Sequence, residues 1–285
     1  MQNKTTAALQ RPAENIGSYF TCEVLMTAGP RKKFMDDPGS DIDLGEDVCG
    51  FISTSSEILS WLFDGTSDLH CLKNPASNRE YFSSRLLAQC LSNTLKRAYL
   101  QQPATSLDEL VASAILKVRD DWREVLNGLP EEEKDLLTSN INNKNFPECA
   151  ATIMAARFSL DGSLSVYRSG DSKMLLFESA GNSINHLDTS LASKNPDSND
   201  RIFFRMVLDA EGELDIVSNQ PDYEVVNQEG IGTIICMSDG VGLSTEMLLK
   251  EDYDRDPQKV RDEIIYQSQG TRDDKVICFI ELNRR

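Results

Sequence analysis

From Ala151 to its end the chain reads as one short strand after another. The runs are ATIMAARF (151–158), SLSVYRS (163–169), KMLLFE (173–178), IFFRMVLD (202–209), ELDIVS (213–218), GTIICMS (232–238) and KVICFIEL (275–282). Each is rich in apolar, aromatic or β-branched residues, and polar or glycine-bearing turns separate them. So many short strands must pair into sheets and bury a face. Ahead of them, SYFTCEVLM (18–26), VCGFIST (48–54) and EILSWLF (57–63) also read as strands. Two helices stand between the groups. NREYFSSRLLAQCLSNTLKRAYL (78–100) lines up Phe82, Leu86, Leu87, Cys90, Leu91 and Leu95 at helical spacing. SLDELVASAILKVRDDWREVLNGL (106–129) opens on Ser106 and Glu109, a capping box, and closes on Asn127-Gly128. PEEEKDLL (130–137) fits a short helix and QKVRDEIIYQSQ (258–269) a further one. Strands, a helical pair, then many strands predict an α+β fold: two antiparallel sheets packed face to face with helices outside, a four-layer α-β-β-α sandwich. With no internal repeat and no long linker, residues 18–285 are expected to form one domain behind a flexible polar tail, residues 1–17.

Charge narrows the function. The formal net charge is −17, and the longest basic cluster, Arg31-Lys32-Lys33, is followed at once by Asp36-Asp37. Such a surface repels a phosphate backbone, so nucleic acid is not an expected partner. The seven cysteines contain no CxxC pair, which argues against a zinc site or disulfide framework and for reduced thiols. Only His70 and His186 are present, too few for a histidine-rich metal site. No apolar leader and no membrane-length run is visible, so a cytoplasmic location without membrane attachment is expected.

Three Asp-Gly pairs invite comparison. Asp161-Gly162 lies between alternating runs and reads as a two-residue hairpin turn. Asp64-Gly65 and Asp239-Gly240 differ, because SWLFDG and IICMSDG each carry an apolar strand into the aspartate with no alternating strand directly after it. An aspartate at a buried strand end is fixed in place, and its glycine permits close approach of backbone or ligand. Two more acidic pairs sit at strand boundaries: Glu46-Asp47 leads into VCGFIST and Asp273-Asp274 into KVICFIEL. Four acidic clusters at strand ends could meet at one edge of a sandwich. They would offer a hard divalent cation oxygen ligands without any histidine.

In order and spacing these segments resemble the protein phosphatase 2C family of metal-dependent phosphatases, over about residues 18–282. GEDVCGFIS resembles its Glu-Asp lead-in to an early strand, and SWLFDG its apolar-Asp-Gly segment. ATIMAARF through SLSVYRSGDSKMLLF resembles its mid-chain strand pair, with the Gly-Asp-Ser-basic turn at Gly170 to Lys173. QPDYEVVNQEGIGTIICMSDGVG resembles the strand running into Ser-Asp-Gly, and TRDDKVICFIEL the closing segment. The resemblance implies a phosphoserine/phosphothreonine protein phosphatase with two Mn²⁺ or Mg²⁺ ions. Asp64 would bridge both ions, with the Gly65 carbonyl beside it; Asp239 and Asp273 would hold one, and Glu46 and Asp47 would support the other. Asp64 and Asp239 would then act in catalysis through metal-activated water, which attacks phosphorus in line with no covalent enzyme intermediate. A phosphoprotein is the implied substrate. Asp171 is assigned to turn structure.

The chain departs from the family's pattern around that set. Thr66 stands where the family's candidate general-acid histidine falls, and His70 is displaced from it. Ile42 and Asp43 occupy the usual place of the phosphate-binding arginine, leaving Arg31 as the candidate. Ala150-Ala151-Thr152 replaces a Gly-Ser-Thr-like segment. These departures raise a second reading, a catalytically impaired relative that binds a partner in a regulatory role.

Overall fold

The structure is a computed structural model, and it describes residues 8–16, 19–27, 46–65, 72–73, 80–135, 148–170, 172–178, 184–187, 204–208, 214–216, 224–241, 256–269 and 273–283. Its elements are β1 (Ala8–Ile16), β2 (Phe20–Thr27), β3 (Val48–Ser53), β4 (Glu57–Gly65), β5 (Leu72–Lys73), β6 (Glu80–Phe82), α1 (Ser84–Gln101) and α2 (Leu107–Asn127). There follow β7 (Glu148–Ser159), β8 (Leu164–Ser169), β9 (Lys173–Glu178), β10 (Ile184–Leu187), β11 (Phe204–Leu208), β12 (Leu214–Ile216), β13 (Glu224–Gln228), β14 (Ile231–Met237), α3 (Pro257–Ser268) and β15 (Lys275–Leu282).

One sheet runs β1-β2-β15-β14-β9-β10; the other runs β12-β11-β7-β4-β3, with β8 also on β7 and β13 on β8. Among the described residues the strand pairings are antiparallel throughout. Strand β7 feeds two partners in succession along one edge. Its opening residues pair with β11, and Ile153–Phe158 pair with β8.

Alternation along β4 shows how the layers arise. Leu59, Trp61 and Phe63 pack against the helical pair α1–α2, while Ile58 and Leu62 fill the space between the sheets. A strand apolar on both faces needs cover on both, which this one has. On the far side, Leu175 and Phe177 of β9 and Ile235 and Met237 of β14 pack under Val260 and Ile264 of α3. The result is the expected α-β-β-α sandwich. Trp61 donates from Nε1 to Ser92 Oγ at 2.8 Å. Gly50 lies opposite it in register, and a Cβ there would sit 2.5 Å from the indole. No helix among the described residues is long and apolar enough to cross a membrane.

Four local expectations are corrected. Residues 8–16, expected within the tail, form edge strand β1 on β2. Edge pairing is a backbone interaction and needs no apolar pattern, and Pro12 falls in a register shift between Arg11 and Glu14, where a missing N–H is tolerated. The first helix starts at Ser84, capped by Ser83 Oγ accepting from Leu86 N at 3.1 Å, and Phe82 belongs to β6. Ser106 is the N-cap of α2 but its hydroxyl makes no cap bond. It bonds Asp108 instead and lowers that carboxyl's pKa. Asp161-Gly162 does turn the β7–β8 hairpin, in a three-residue loop closed by Ser159 N to Ser163 O at 2.9 Å, with Gly162 at φ +84°. Segment 140–145 and most of 187–200 lie outside the described residues.

A polar group fastens α1 to the sheet beneath it. Tyr99, buried at the helix end, donates to Glu57 Oε1 at 2.7 Å, and the Arg157 guanidinium lies 5.6 Å over its ring. Burial, then the bond to Glu57, pushes the phenol's pKa up from 10.0 to about 12. A raised folded-state pKa means that this contribution is whole below pH 10 and is lost as pH rises through 12. Tyr99→Phe should therefore cost about 0.5–1.5 kcal/mol at neutral pH. Urea titrations should also show a shallower stability loss between pH 10 and 12 than wild type. Equal slopes for the two proteins would remove Tyr99 as the cause.

Candidate metal centre

Two of the strand-end aspartates belong to different sheets, and the packing brings those ends to one rim. In the inner sheet, Asp64 falls in phase with Ile58 and Leu62, so the strand's period of two directs it to the space between the sheets. Its register partner is Thr152, whose Oγ1 accepts from Asp64 N at 3.3 Å and bonds Ser172 Oγ at 2.8 Å. The turn before Ser172 closes directly on Thr152. Gly170 stands at φ +105°, and a Cβ there would lie 2.6 Å from Thr152 Cβ. Gly65 is a point of close approach, since a Cβ on it would be 2.9 Å from Glu46 Cβ, 3.0 Å from Glu46 O and 3.1 Å from Ser84 O. The lead-in to β3, the end of β4 and the start of α1 therefore meet at this glycine. Ser84 ties in β7 as well, its Oγ accepting from Ala150 N at 3.1 Å.

In the other sheet, Ser238 follows β14 and is pinned to β15. Its N donates to Val276 O at 3.1 Å, and its Oγ accepts from Val276 N at 2.9 Å. Asp239–Val241 then forms a single 3-10 turn. Gly240 touches the opening of β15 so closely that a Cβ would fall 1.7 Å from Asp274 O and 3.2 Å from Asp273 Cβ. Asp273 Oδ1 accepts from Asp274 N at 2.9 Å. A hydrogen bond joins the two halves: Glu46 N donates to Asp274 Oδ2 at 2.8 Å.

The expected ligands thus share a rim but differ in setting. Asp47 and Asp64 are 4% and 9% exposed and Glu46 is half-buried, whereas Asp239 and Asp273 are exposed. Asp274, 2% exposed, is the member of its pair that shares the inward phase of Val276, Cys278 and Ile280. That phase was readable in KVICFIEL, and it separates Asp274 from Asp273. Thr152, Ser172, Ser84 and Ser238 carry no such signal, because their roles depend on strand register and on turns meeting across the sandwich. Arg31, Thr66, His70 and Asp171 lie outside the described residues.

The donor chemistry suits a hard divalent cation. Asp47 Oδ2 and Asp64 Oδ2 are buried carboxylate oxygens with no hydrogen bond to those atoms, although both residues interact elsewhere. Such oxygens are the ligands that Mg²⁺ and Mn²⁺ favour. Among the described residues no three His, Cys, Asp or Glu side chains converge tightly enough to hold an ion by themselves. Backbone carbonyls and water would have to share the coordination, as is usual for Mg²⁺.

No protein-family model matches the sequence, and no curated protein does. Solved structures do. RsbX in complex with magnesium aligns with a TM-score of 0.51 at 11% identity, over 97% of this chain and 100% of that one. PppA, a key regulatory component of the type VI secretion system in Pseudomonas aeruginosa, aligns with a TM-score of 0.50 at 13% identity, over 93% and 98%. The serine-threonine phosphatase 2C from Toxoplasma gondii aligns at 0.49 with 13% identity, over 98% and 100%. At such identities the likeness is one of fold. The chain has the protein phosphatase 2C fold that its sequence resemblance implied.

Proposed function

We propose that this chain is a metal-dependent phosphatase acting on phosphoserine and phosphothreonine in proteins. The observation that supports it best is the meeting of four acidic strand ends at one rim. Gly65 lies against Glu46, Gly240 lies against Asp273 and Asp274, and Glu46 N binds Asp274 at 2.8 Å. Asp64, the Gly65 carbonyl, Asp239 and Asp273, with Glu46 and Asp47 in support, are the residues that would hold two Mn²⁺ or Mg²⁺ ions. The magnesium bound to RsbX accords with that choice. Bound there, the ions would neutralise phosphate charge and make water a competent nucleophile near neutral pH.

The chain's own share is placement and charge. Thr152 and the Ser172 turn fix the backbone beneath Asp64, and Ser238 fixes the approach to Asp239. A phosphate monoester is an anion, and this rim on a −17 chain repels it. Substrate therefore enters only when cations offset the carboxylates, which makes activity strictly metal-dependent. Arg31 is the candidate for a direct contact to phosphate.

The test is hydrolysis of p-nitrophenyl phosphate and of a phosphothreonine peptide during titration with Mn²⁺ and with Mg²⁺. Saturable stimulation that a chelator removes is expected. A rate indistinguishable from the metal-free blank at every concentration of both ions would refute the proposal.

A further inference from the structure

The two sheets bring their acidic strand ends to the rim separately, and Asp274 touches both contributions. Its side chain accepts from Glu46 N at 2.8 Å, across 228 positions of sequence. Its backbone lies against the turn after β14, where a Cβ on Gly240 would fall 1.7 Å from Asp274 O. Glu46 in turn lies against Gly65, whose added Cβ would be 2.9 Å from Glu46 Cβ and 3.0 Å from Glu46 O. A continuous line of contact thus runs from Asp239-Gly240 through Asp274 and Glu46 to Asp64-Gly65.

Packing alone gives no reason for a carboxyl at this position. Asp274 is 2% exposed and shares the inward phase of Val276, Cys278 and Ile280, which belong to the inter-sheet core. A buried carboxyl is costly unless it is hydrogen-bonded. The bond from Glu46 N meets that need, and it belongs to neither sheet's ladder. It holds the lead-in to β3, where Asp47 comes next in the chain, against the opening of β15, where Asp273 comes just before.

We infer that Asp274 is a positioning residue of the metal centre. Its bond to Glu46 N sets the spacing between the Asp239–Asp273 group and the Asp64–Glu46–Asp47 group, and so between the ions those groups would hold. The inference rests on the phosphatase reading and deepens it, because it gives a role to a carboxyl outside the expected ligand set. A positioning residue acts here through the acceptor oxygen it offers, whereas a metal ligand acts through its charge. Residues that orient ligands in this way are typically worth about 10–100-fold in metal affinity or activity.

The experiment compares Asp274→Asn, which keeps an acceptor oxygen in nearly the same shape, with Asp274→Ala and Asp274→Leu, which do not. Mn²⁺ binding is read by calorimetry, and kcat and KM for p-nitrophenyl phosphate are read at saturating Mn²⁺. The asparagine variant should stay within about threefold of wild type in all three. The alanine and leucine variants should lose about tenfold or more in Mn²⁺ affinity and in kcat, with KM held within about twofold. An asparagine variant as impaired as the alanine one would make Asp274 a ligand and overturn the inference. So would alanine and leucine variants that melt lower yet bind Mn²⁺ as wild type does, which is the behaviour of a purely structural bond. Leucine fills the space of the lost carboxyl, so collapse of the alanine variant alone leaves the comparison intact. Failure of both to fold would mark the bond as structural and count against the inference. Wild-type protein that binds no Mn²⁺ would sink the phosphatase reading itself, and the inference with it.

Discussion

Asp64→Asn should reduce Mn²⁺-stimulated hydrolysis of p-nitrophenyl phosphate by on the order of 10²-fold or more, since even residues that merely support metal ligands cost 10–100-fold when changed. Asparagine has nearly the same shape, and the backbone bond from residue 64 to Thr152 Oγ1 is untouched by the exchange. The fold should therefore survive. The charge removed sits on a buried carboxyl at a rim shared with Glu46, Asp47, Asp273 and Asp274. Removing one negative charge from such a crowd relieves repulsion and the cost of burial. The metal-free variant should accordingly melt no lower than wild type while its Mn²⁺ affinity by calorimetry collapses. A residue kept for structure behaves the other way, losing stability when changed and leaving metal response intact. Hydrolysis within about threefold of wild type would show that Asp64 does not hold metal.

The layers of this fold were legible because each rests on a pattern carried by neighbouring residues. Leu59, Trp61 and Phe63 alternate with Ile58 and Leu62, and helix spacing in α1 and α2 gives each a single buried stripe. Strands such as β10 (INHL) and β13 (EVVNQ) were not expected, since four or five mixed residues carry too little periodicity to distinguish them from loop. Strand β1 was missed because an edge pairs through its backbone whatever its side chains. The site was half legible. Asp-Gly and acidic pairs at strand ends announced a rim, whereas the bond by which buried Asp274, the neighbour of Asp273, accepts from Glu46 N depends on two distant segments meeting. Thr152 shows the other limit. Its value lies in facing Asp64 across a strand pair more than eighty residues apart in sequence, and no local pattern encodes that register.

Gly240→Ala should be among the most damaging single-methyl changes the chain can suffer. The cause is contact rather than conformation, because the added carbon would fall 1.7 Å from the Asp274 carbonyl oxygen and 2.9 Å from its carbonyl carbon. Both atoms are backbone, so no side chain can swing aside. The 3-10 turn must instead move away from β15, straining the Ser238–Val276 bonds that hold the two strand ends together. Forcing extra volume into packed structure costs roughly 1–3 kcal/mol and sometimes more. That corresponds to a melting temperature lower by at least several degrees. Gly230→Ala supplies the control. Gly230 stands at φ +73° with nothing within 4 Å of a built Cβ, so alanine there meets only backbone strain of about 1 kcal/mol. The two variants should part most clearly in metal response. Displacing the turn separates Asp239 from Asp273, so Gly240→Ala should weaken Mn²⁺ binding at least tenfold even at temperatures where it remains folded. Gly230→Ala should bind as wild type does. Should both glycines prove equally tolerant in melting and in metal titration, close approach of the Asp239-Gly240 turn to the Asp273-Asp274 pair would not be what shapes this rim.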